Sequence, residues 1–411
     1  MSSFDHDVVI IGSGPSGIAA ATALSKAGVK NIVVYEREPE IGGIPRHTHH
    51  PSFGLLVFKR PMSGPKFIAA LLRRCPKVSF EASTTIIAIH KGGKLDVATA
   101  SGIRTVRARH IILATGARET PRHARLVSGL RPNAVTTTGA LQRFIYSSKL
   151  RPFKHPVIVG TELVSFSALW TLRSAGIKTV AMIEENARIT AYRPATLLAR
   201  LLGVPIYHRA TVTDICDFAG LNQITIESQA TGPLDIACDG VIFSGKFTGE
   251  NTLARASHLA LCSDTQLPKL DQNWLSSDPA ISVIGNATHP ADMGDQCYQE
   301  GLRAGKYIAE LLTGRAQVSA TYLTIRHSHE IKMTTPNIVR RNGASEVSFD
   351  ISLHVTQAYF GPVSVTSGDQ VLYQKSRRCL PARRITLKNI RVKSTGTGIG
   401  PDIRISLGHP I

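Results

Sequence analysis

Four consecutive apolar residues, Val8-Val9-Ile10-Ile11, run directly into Gly12-x-Gly14-x-x-Gly17. The sequence reads as a strand turning tightly into a helix. Gly12 allows the turn, Gly14 lets backbone approach a pyrophosphate closely, and Gly17 lets the helix pack on the strand. Pro15 and Ser16 lie in the same turn, where the first N–H groups of a helix face an anion. Gly28 closes the helix, Asn31 to Tyr35 forms the next strand, and Glu36 follows Gly17 by 19 positions with Arg37 beside it. A carboxylate at that place accepts hydrogen bonds from ribose hydroxyls. A glycine triplet alone also occurs in ordinary turns; with strand, helix, strand and acid in register it marks a dinucleotide-binding βαβ unit.

With 411 residues, 43% of them apolar, the chain is long enough for two or three globular domains. No apolar run reaches the length of a membrane span, and the first strand starts within ten residues of Met1. Neither a membrane helix nor a signal peptide is therefore expected, and the cytoplasm is the expected location. Six cysteines (Cys75, Cys216, Cys238, Cys262, Cys297, Cys379) stand without a C-x-x-C pair. This argues against a redox disulfide, a structural zinc and a cysteine-ligated iron-sulfur cluster. His47, His49 and His50 define no metal-ligand spacing, so no metal is expected and a loop against cofactor or partner accounts for them better. The net charge of +19 suits an anionic partner, whether an acidic polypeptide, a membrane surface touched peripherally or nucleic acid; a basic solvated surface accounts for it equally well. Few aromatics lie among the basic residues from Arg377 to Arg391, so nucleic acid is not expected as a partner.

Past Glu36, Gly42 and Gly43 would let backbone pass close to a ligand, with Arg46 and His47 just behind them. Pro65 to Arg74 reads as a helix, Val78 to Ile89 and Lys94 to Thr99 as strands, and Ile111 to Gly116 as a buried strand ending in Ala114-Thr115-Gly116. A linker is expected from Ala117 to about Pro156, with Arg118 and Glu119 forming an interdomain ion pair. The βαβ pattern then repeats imperfectly. Val157 to Gly160 is a good strand and turn, and Leu163 to Ala175 a good helix, but Glu162 and Ser165 stand where Gly14 and Gly17 stand in the first copy. A carboxylate there repels a pyrophosphate, which disfavours nicotinamide binding, although Glu184 at the end of the next strand can still hold a ribose. Asp239 to Ser244 and Ala280 to Asn286 read as further strands, and Tyr298 to Leu312 as a helix with Cys297 just before it. A thiol at that end of a helix is expected to have a depressed pKa, and a structural role fits Cys297 better than a redox role. Beyond about Gln317, short alternating segments predict a small β-rich domain.

The order of glycine-triplet βαβ, Gly-Gly turn, Ala-Thr-Gly strand end, second βαβ and Gly285-Asn286 turn before a helix resembles the two-dinucleotide-domain flavoproteins of the disulfide-reductase type, over about residues 5 to 316. The resemblance implies an α/β fold of two Rossmann-like domains, the second inserted in the first. The parts would be residues 1–118 and 251–316 for FAD, 119–250 for the degenerate second domain, and 317–411 for the β-rich addition. It also implies that Gly12, Gly14, Gly17 and Glu36 hold the ADP half of FAD, with Ala114-Thr115-Gly116 beside it. The turn that normally contacts the ribityl chain is Gly-Asp in that family and Gly285-Asn286 here, which keeps a hydrogen bond without the charge.

A narrower resemblance, carried by Gly42-Gly-Ile-Pro-Arg-His47, Leu113 to Pro121, Val159 to Ser167 and Val180 to Asn186, is to the α-type components of heteromeric amine and opine oxidases. That group includes the opine oxidase A component, the hydrogen cyanide synthase B component and the α components of proline or hydroxyproline dehydrogenases. Glu162 is part of the resemblance. It implies an electron-transferring α component beside a β component that resembles glycine and D-amino-acid oxidases and oxidises an amine or amino acid, with FMN at the interface between them a further option. Arg46, His47 and the N-terminus of the helix after Cys297 would tune the flavin. Some members carry a cysteine-rich C-terminal segment for a [2Fe-2S] cluster; only Cys379 lies beyond Cys297 here. The alternatives are a stand-alone NAD(P)H-dependent flavin oxidoreductase and a non-catalytic scaffold holding ADP or ATP in place of FAD.

Overall fold

A computed structural model describes residues 4–75, 78–130, 132, 134–218, 221–229, 232–341, 346–393 and 402–408. β1 (His6–Ile11), α1 (Pro15–Lys26) and β2 (Ile32–Tyr35) form the expected βαβ unit, with β1 parallel to β2 from Val8↔Ile32 to Ile11↔Tyr35. Val8 to Ile11 are all buried, as a strand covered on both faces requires. The sheet runs Ser79–Glu81, β2, β1, the second half of Gly102–Leu113 and finally Ile281–Val283, all parallel. The first half of Gly102–Leu113 leaves this sheet to pair antiparallel with Lys94–Thr99, which pairs in turn with Thr85–His90. The segment expected as one strand from Val78 to Ile89 is thus two, in different sheets.

The helix Gly294–Leu312 lies against α1. Contact is close because Gly301 and Gly305 face it: a Cβ on Gly301 would sit 2.2 Å from the Ser16 carbonyl oxygen, and one on Gly305 2.7 Å from that of Ala20. The helix begins at Gly294, four residues earlier than expected, so Cys297 lies inside its first turn.

The second Rossmann-like sheet runs Ile206–His208, Ala181–Glu184, Pro156–Val159, Gly240–Phe243 and Val135–Thr137, all parallel. Val135–Thr137 lies within the expected linker, so part of that stretch is an edge strand. An antiparallel meander of Ala210–Phe218, Leu221–Ser228 and Gly232–Ala237 is inserted before the fourth parallel strand. The two connections between the domains pair with each other, Ala117–Arg118 against Thr248–Gly249. Arg118 forms an ion pair with Glu250 on this ribbon, while Glu119 accepts the Gly139 and Gly245 N–H groups. Arg118 thus makes the expected ion pair between the two connections, while Glu119 is spent on backbone N–H groups.

The C-terminal region is a β-sandwich. One sheet holds Ile338–Arg340, Tyr322–His327, Ile403–Leu407, Tyr359–Ser367 and Gln370–Cys379; the other holds Ile331–Thr335, Glu346–Val355 and Ile385–Lys393. Ile325, Ile351, Leu353, Val363, Val365, Leu387, Ile390 and Ile405 fill the space between them. The sandwich docks on the return segment of the first domain through a buried Arg340–Asp271 pair at 3.1 Å and the Asn337 N–H bond to the Leu270 carbonyl at 2.8 Å. Burial pushes the Asp271 pKa up to about 6 despite that pair. Among the described residues, no helix is long and apolar enough to cross a membrane.

Candidate cofactor site

The glycine turn is built from backbone contacts that admit no side chain. A Cβ on Gly12, which has φ +105°, would meet the Ala114 carbonyl oxygen at 2.5 Å, and one on Gly17 would meet the Gly12 carbonyl oxygen at 2.0 Å. Gly12 thus seats the turn on the Ala114-Thr115-Gly116 strand end, and Gly17 seats α1 on the turn. Gly14 differs: a Cβ there would meet nothing within 4 Å. Protein packing does not require glycine at Gly14, but a ligand lying against the backbone would. Gly14 is the N-cap of α1 and offers no side chain to the first-turn N–H groups, and Pro15 follows at N1. This open, uncapped helix start fits a dinucleotide phosphate.

Glu36 is buried at the end of β2, and three protein donors converge on it. Its Oε2 accepts the Ser13 N–H at 3.0 Å and the Ser13 hydroxyl at 2.6 Å, and its Oε1 accepts the Glu38 N–H at 3.0 Å. Ser13 Oγ in turn accepts the Gly42 N–H at 2.8 Å. A carboxylate has about four acceptor positions, so one on Oε1 remains. The network draws the first glycine turn and the Gly42-Gly43 turn together, and a Cβ on Gly43 would approach Gly14 Cα to 3.0 Å. Gly42 is pressed against Ile68, and Arg37 is exposed outside this network.

The other two predicted turns close the same side. Thr115 donates its hydroxyl to the Glu250 carbonyl at 2.6 Å, and the Glu250 N–H returns to the Gly116 carbonyl at 2.8 Å. Gly285 packs on Ser16, where a Cβ would come within 2.5 Å of its Oγ. Asn286 spends its carboxamide locally: Oδ1 accepts the Asp292 N–H at 3.0 Å and Nδ2 donates to the Asp292 carbonyl at 3.2 Å. Asp295, which sequence reasoning missed, is buried in the first turn of Gly294–Leu312 and accepts the N–H groups of Gly54, Leu56 and Val57 at 2.8–3.0 Å. An acid in the first turn of a helix was the signal available for it.

The weaker candidates fare differently. Arg46 is paired with Glu40 at 3.0 Å and lies 3.9 Å from Glu38. His47 is buried, and burial together with the neighbouring Arg46 charge pushes its pKa down to about 4. It is neutral near pH 7 and brings no positive charge. The three histidines diverge: His49 stacks on Tyr146, and His50 stacks on Phe53 while hydrogen-bonding Ser52. Cys297 corrects the expectation of an acidic thiol. It is buried, and burial, with Asp292 and Glu300 nearby, raises its pKa well above the usual thiol value.

The second βαβ turn is occupied by a side chain. Glu162 Oε1 accepts the Lys246 N–H at 2.7 Å, and its carboxylate lies so near Gly245 that a Cβ there would be 2.5 Å away. Burial raises the Glu162 pKa. Glu184, expected to be able to hold a ribose, has every acceptor position in use. Its Oε1 takes both the Asn186 N–H at 2.8 Å and the Asn186 side-chain amide at 2.7 Å, and its Oε2 takes the hydroxyls of Thr161 and Thr190.

Comparison with known proteins places this architecture. A family model described as pyridine nucleotide-disulphide oxidoreductase matches residues 6–305. The opine oxidase A component of Rhizobium meliloti (strain 1021) is 27% identical over 322 residues, covering 74% of this chain and 65% of that protein. The chain therefore spans somewhat less than two thirds of that relative's length. Among solved structures, T. acidophilum thioredoxin reductase superposes with a TM-score of 0.62 at 19% identity, covering 75% of this chain and 99% of that one. L-proline dehydrogenase from P. horikoshii gives a TM-score of 0.55 at 18% identity, covering 76% of this chain and 57% of that one.

Proposed function

The chain belongs to the pyridine nucleotide-disulphide oxidoreductase family, and on that premise we propose that it binds FAD in its first domain and serves as the electron-transferring α subunit of a heteromeric amine or amino-acid oxidising enzyme. The contrast between the two glycine turns carries this reading. At the first, Gly14 is open and Glu36 keeps one acceptor position. At the second, Glu162 fills the turn and Glu184 is saturated. A nucleotide phosphate is welcome at one and repelled at the other, so electrons reach this chain from something other than a nicotinamide in its second domain. The likeness to the opine oxidase A component supports a role within a larger assembly.

Gly12, Gly14, Pro15, Ser16 and Gly17 would hold the pyrophosphate, Glu36 and Arg37 the adenosine ribose region, and Gly42, Gly43, Ala114, Thr115, Gly116, Gly285 and Asn286 the remainder. Bound FAD would supply two-electron acceptance at this site. The protein's own part is to bind and orient through backbone N–H groups, and to keep His47 and Cys297 uncharged beside it. The partner, a β subunit carrying the amine-oxidising site, would meet a chain with a formal net charge of +19, which favours an acidic face on it.

The residues around the first glycine turn grip the ADP half, which FAD shares with ADP and ATP, so ligand identity is the decisive measurement. The purified chain should show a flavin absorbance spectrum, release stoichiometric FAD on heating, and stay oxidised when NADPH is added anaerobically. ADP or ATP without flavin would make it a scaffold, FMN in addition would place a second flavin at the contact with the partner, and rapid bleaching by NADPH alone would make it a stand-alone reductase.

A further inference from the structure

The C-terminal sandwich reaches the first domain's cofactor side through the loop 380–384, which leads into the strand Ile385–Lys393. Arg384 Nη1 lies 2.9 Å from Asp292 Oδ2 and 3.5 Å from Glu300 Oε2, and all three side chains are largely buried. Each of the two acidic residues holds one end of the loop 285–292. Glu300 Oε1 accepts the Gly285 N–H at 2.7 Å, while the backbone of Asp292 makes two hydrogen bonds to the Asn286 carboxamide, whose Oδ1 also accepts the Cys297 thiol at 3.4 Å. One guanidinium nitrogen therefore bears on both halves of the Gly285-Asn286 turn.

The electrostatics show what that nitrogen does. Burial pushes Asp292 up to about 7 and Glu300 upward, and Arg384 opposes both shifts. The other ionisable groups facing the cluster are His289, 3.8 Å from Glu300 and kept neutral by burial, Cys297, Arg303 and, from the sandwich, His354 and Lys332. Without Arg384, two buried carboxylates would have to bind protons or separate, and the turn attached to them would shift.

We propose that Arg384 is a positioning residue for the cofactor turn: through Asp292 and Glu300, the C-terminal domain sets the placement of Gly285-Asn286 against the start of α1. This rests on reading that turn as part of an FAD cradle. Arg383 provides an internal control. It points to the second domain, donating to the Thr190 carbonyl at 3.2 Å and stacking 4.0 Å over the Tyr192 ring.

The test uses the full-length protein stripped of ligand, FAD as the probe, quenching of flavin fluorescence for affinity, and the midpoint potential of the reconstituted protein. Arg384→Gln should weaken FAD by about tenfold or more, as loss of a charge-assisted contact does, and should shift the potential. Arg384→Lys should restore both, and Arg383→Gln should change neither. The triple variant Arg384→Met, Asp292→Asn and Glu300→Gln removes all three charges, so it should keep its melting temperature yet still bind FAD weakly. Wild-type affinity and potential in the Arg384→Gln or triple variant would overturn the inference while leaving the FAD reading intact. Equal weakening by Arg383→Gln would overturn it too, and a wild-type protein that binds no FAD would remove both readings.

Discussion

Replacing Glu36 with Gln is nearly isosteric, and its effect follows from the acceptor count. The carboxylate takes Ser13 N–H, Ser13 Oγ–H and Glu38 N–H. If the amide oxygen faces Ser13, the two bonds there survive as neutral ones, each weaker by about 1 kcal/mol. The new NH2 then opposes the Glu38 N–H, donor against donor, which costs about 1–3 kcal/mol. The sum is about 3–5 kcal/mol, reduced where water reaches the part-buried Glu38 amide. The slack passes through Ser13 to Gly42, so the two turns that flank Gly14 loosen together. Urea unfolding of the ligand-free protein should show this loss, and FAD titration a further weakening of about tenfold from the lost ribose acceptor. If Glu36→Gln leaves both the unfolding free energy from urea and the FAD binding free energy within about 0.5 kcal/mol of wild type, the network is not what organises the site.

Gly17→Ala would drive a Cβ to 2.0 Å from a backbone oxygen that cannot move aside, so the variant should accumulate poorly and bind no FAD; normal expression and affinity would refute the packing account. Cys297 should resist iodoacetamide in the folded protein at pH 8 and react only after unfolding, as peptide mass mapping would show. Asp292 is raised from 3.8 to about 7, so it binds its proton more tightly when folded. Its stabilising contribution is full below pH 3.8 and is lost as pH rises through 7, and Asp292→Asn should flatten the change in urea midpoint between pH 5 and pH 7.5.

The first βαβ unit was legible because every step is local. Strand, turn, helix and acid are set by residues within the span Asp7 to Glu36, and Gly12 and Gly17 answer backbone contacts made inside that span or with the strand beside it. The carboxylate in the second turn was legible from Glu162 for the same reason. Glu184 was misread because its saturation depends on Thr161, Asn186 and Thr190, small polar residues whose side-chain directions the sequence does not state. Cys297 was misread because a helix start placed a few residues late puts a buried thiol at an exposed end. The edge strand Val135–Thr137 was invisible in a stretch of linker-like composition, since three residues carry too little periodicity to register.

From the amino-acid order alone came the two βαβ units, the glycine triplet of the first turn, the carboxylate standing in the second and the β-rich end, because short-range sterics and apolar periodicity dictate them. The tertiary structure alone decided how the parts answer to one another. Arg384 meets Glu300 across 84 residues of chain. Asp295 meets the loop at Gly54 across 241. Such pairs are set by how distant segments pack: a buried charge must find its partner in space, and nothing in its sequence neighbours says where that partner lies.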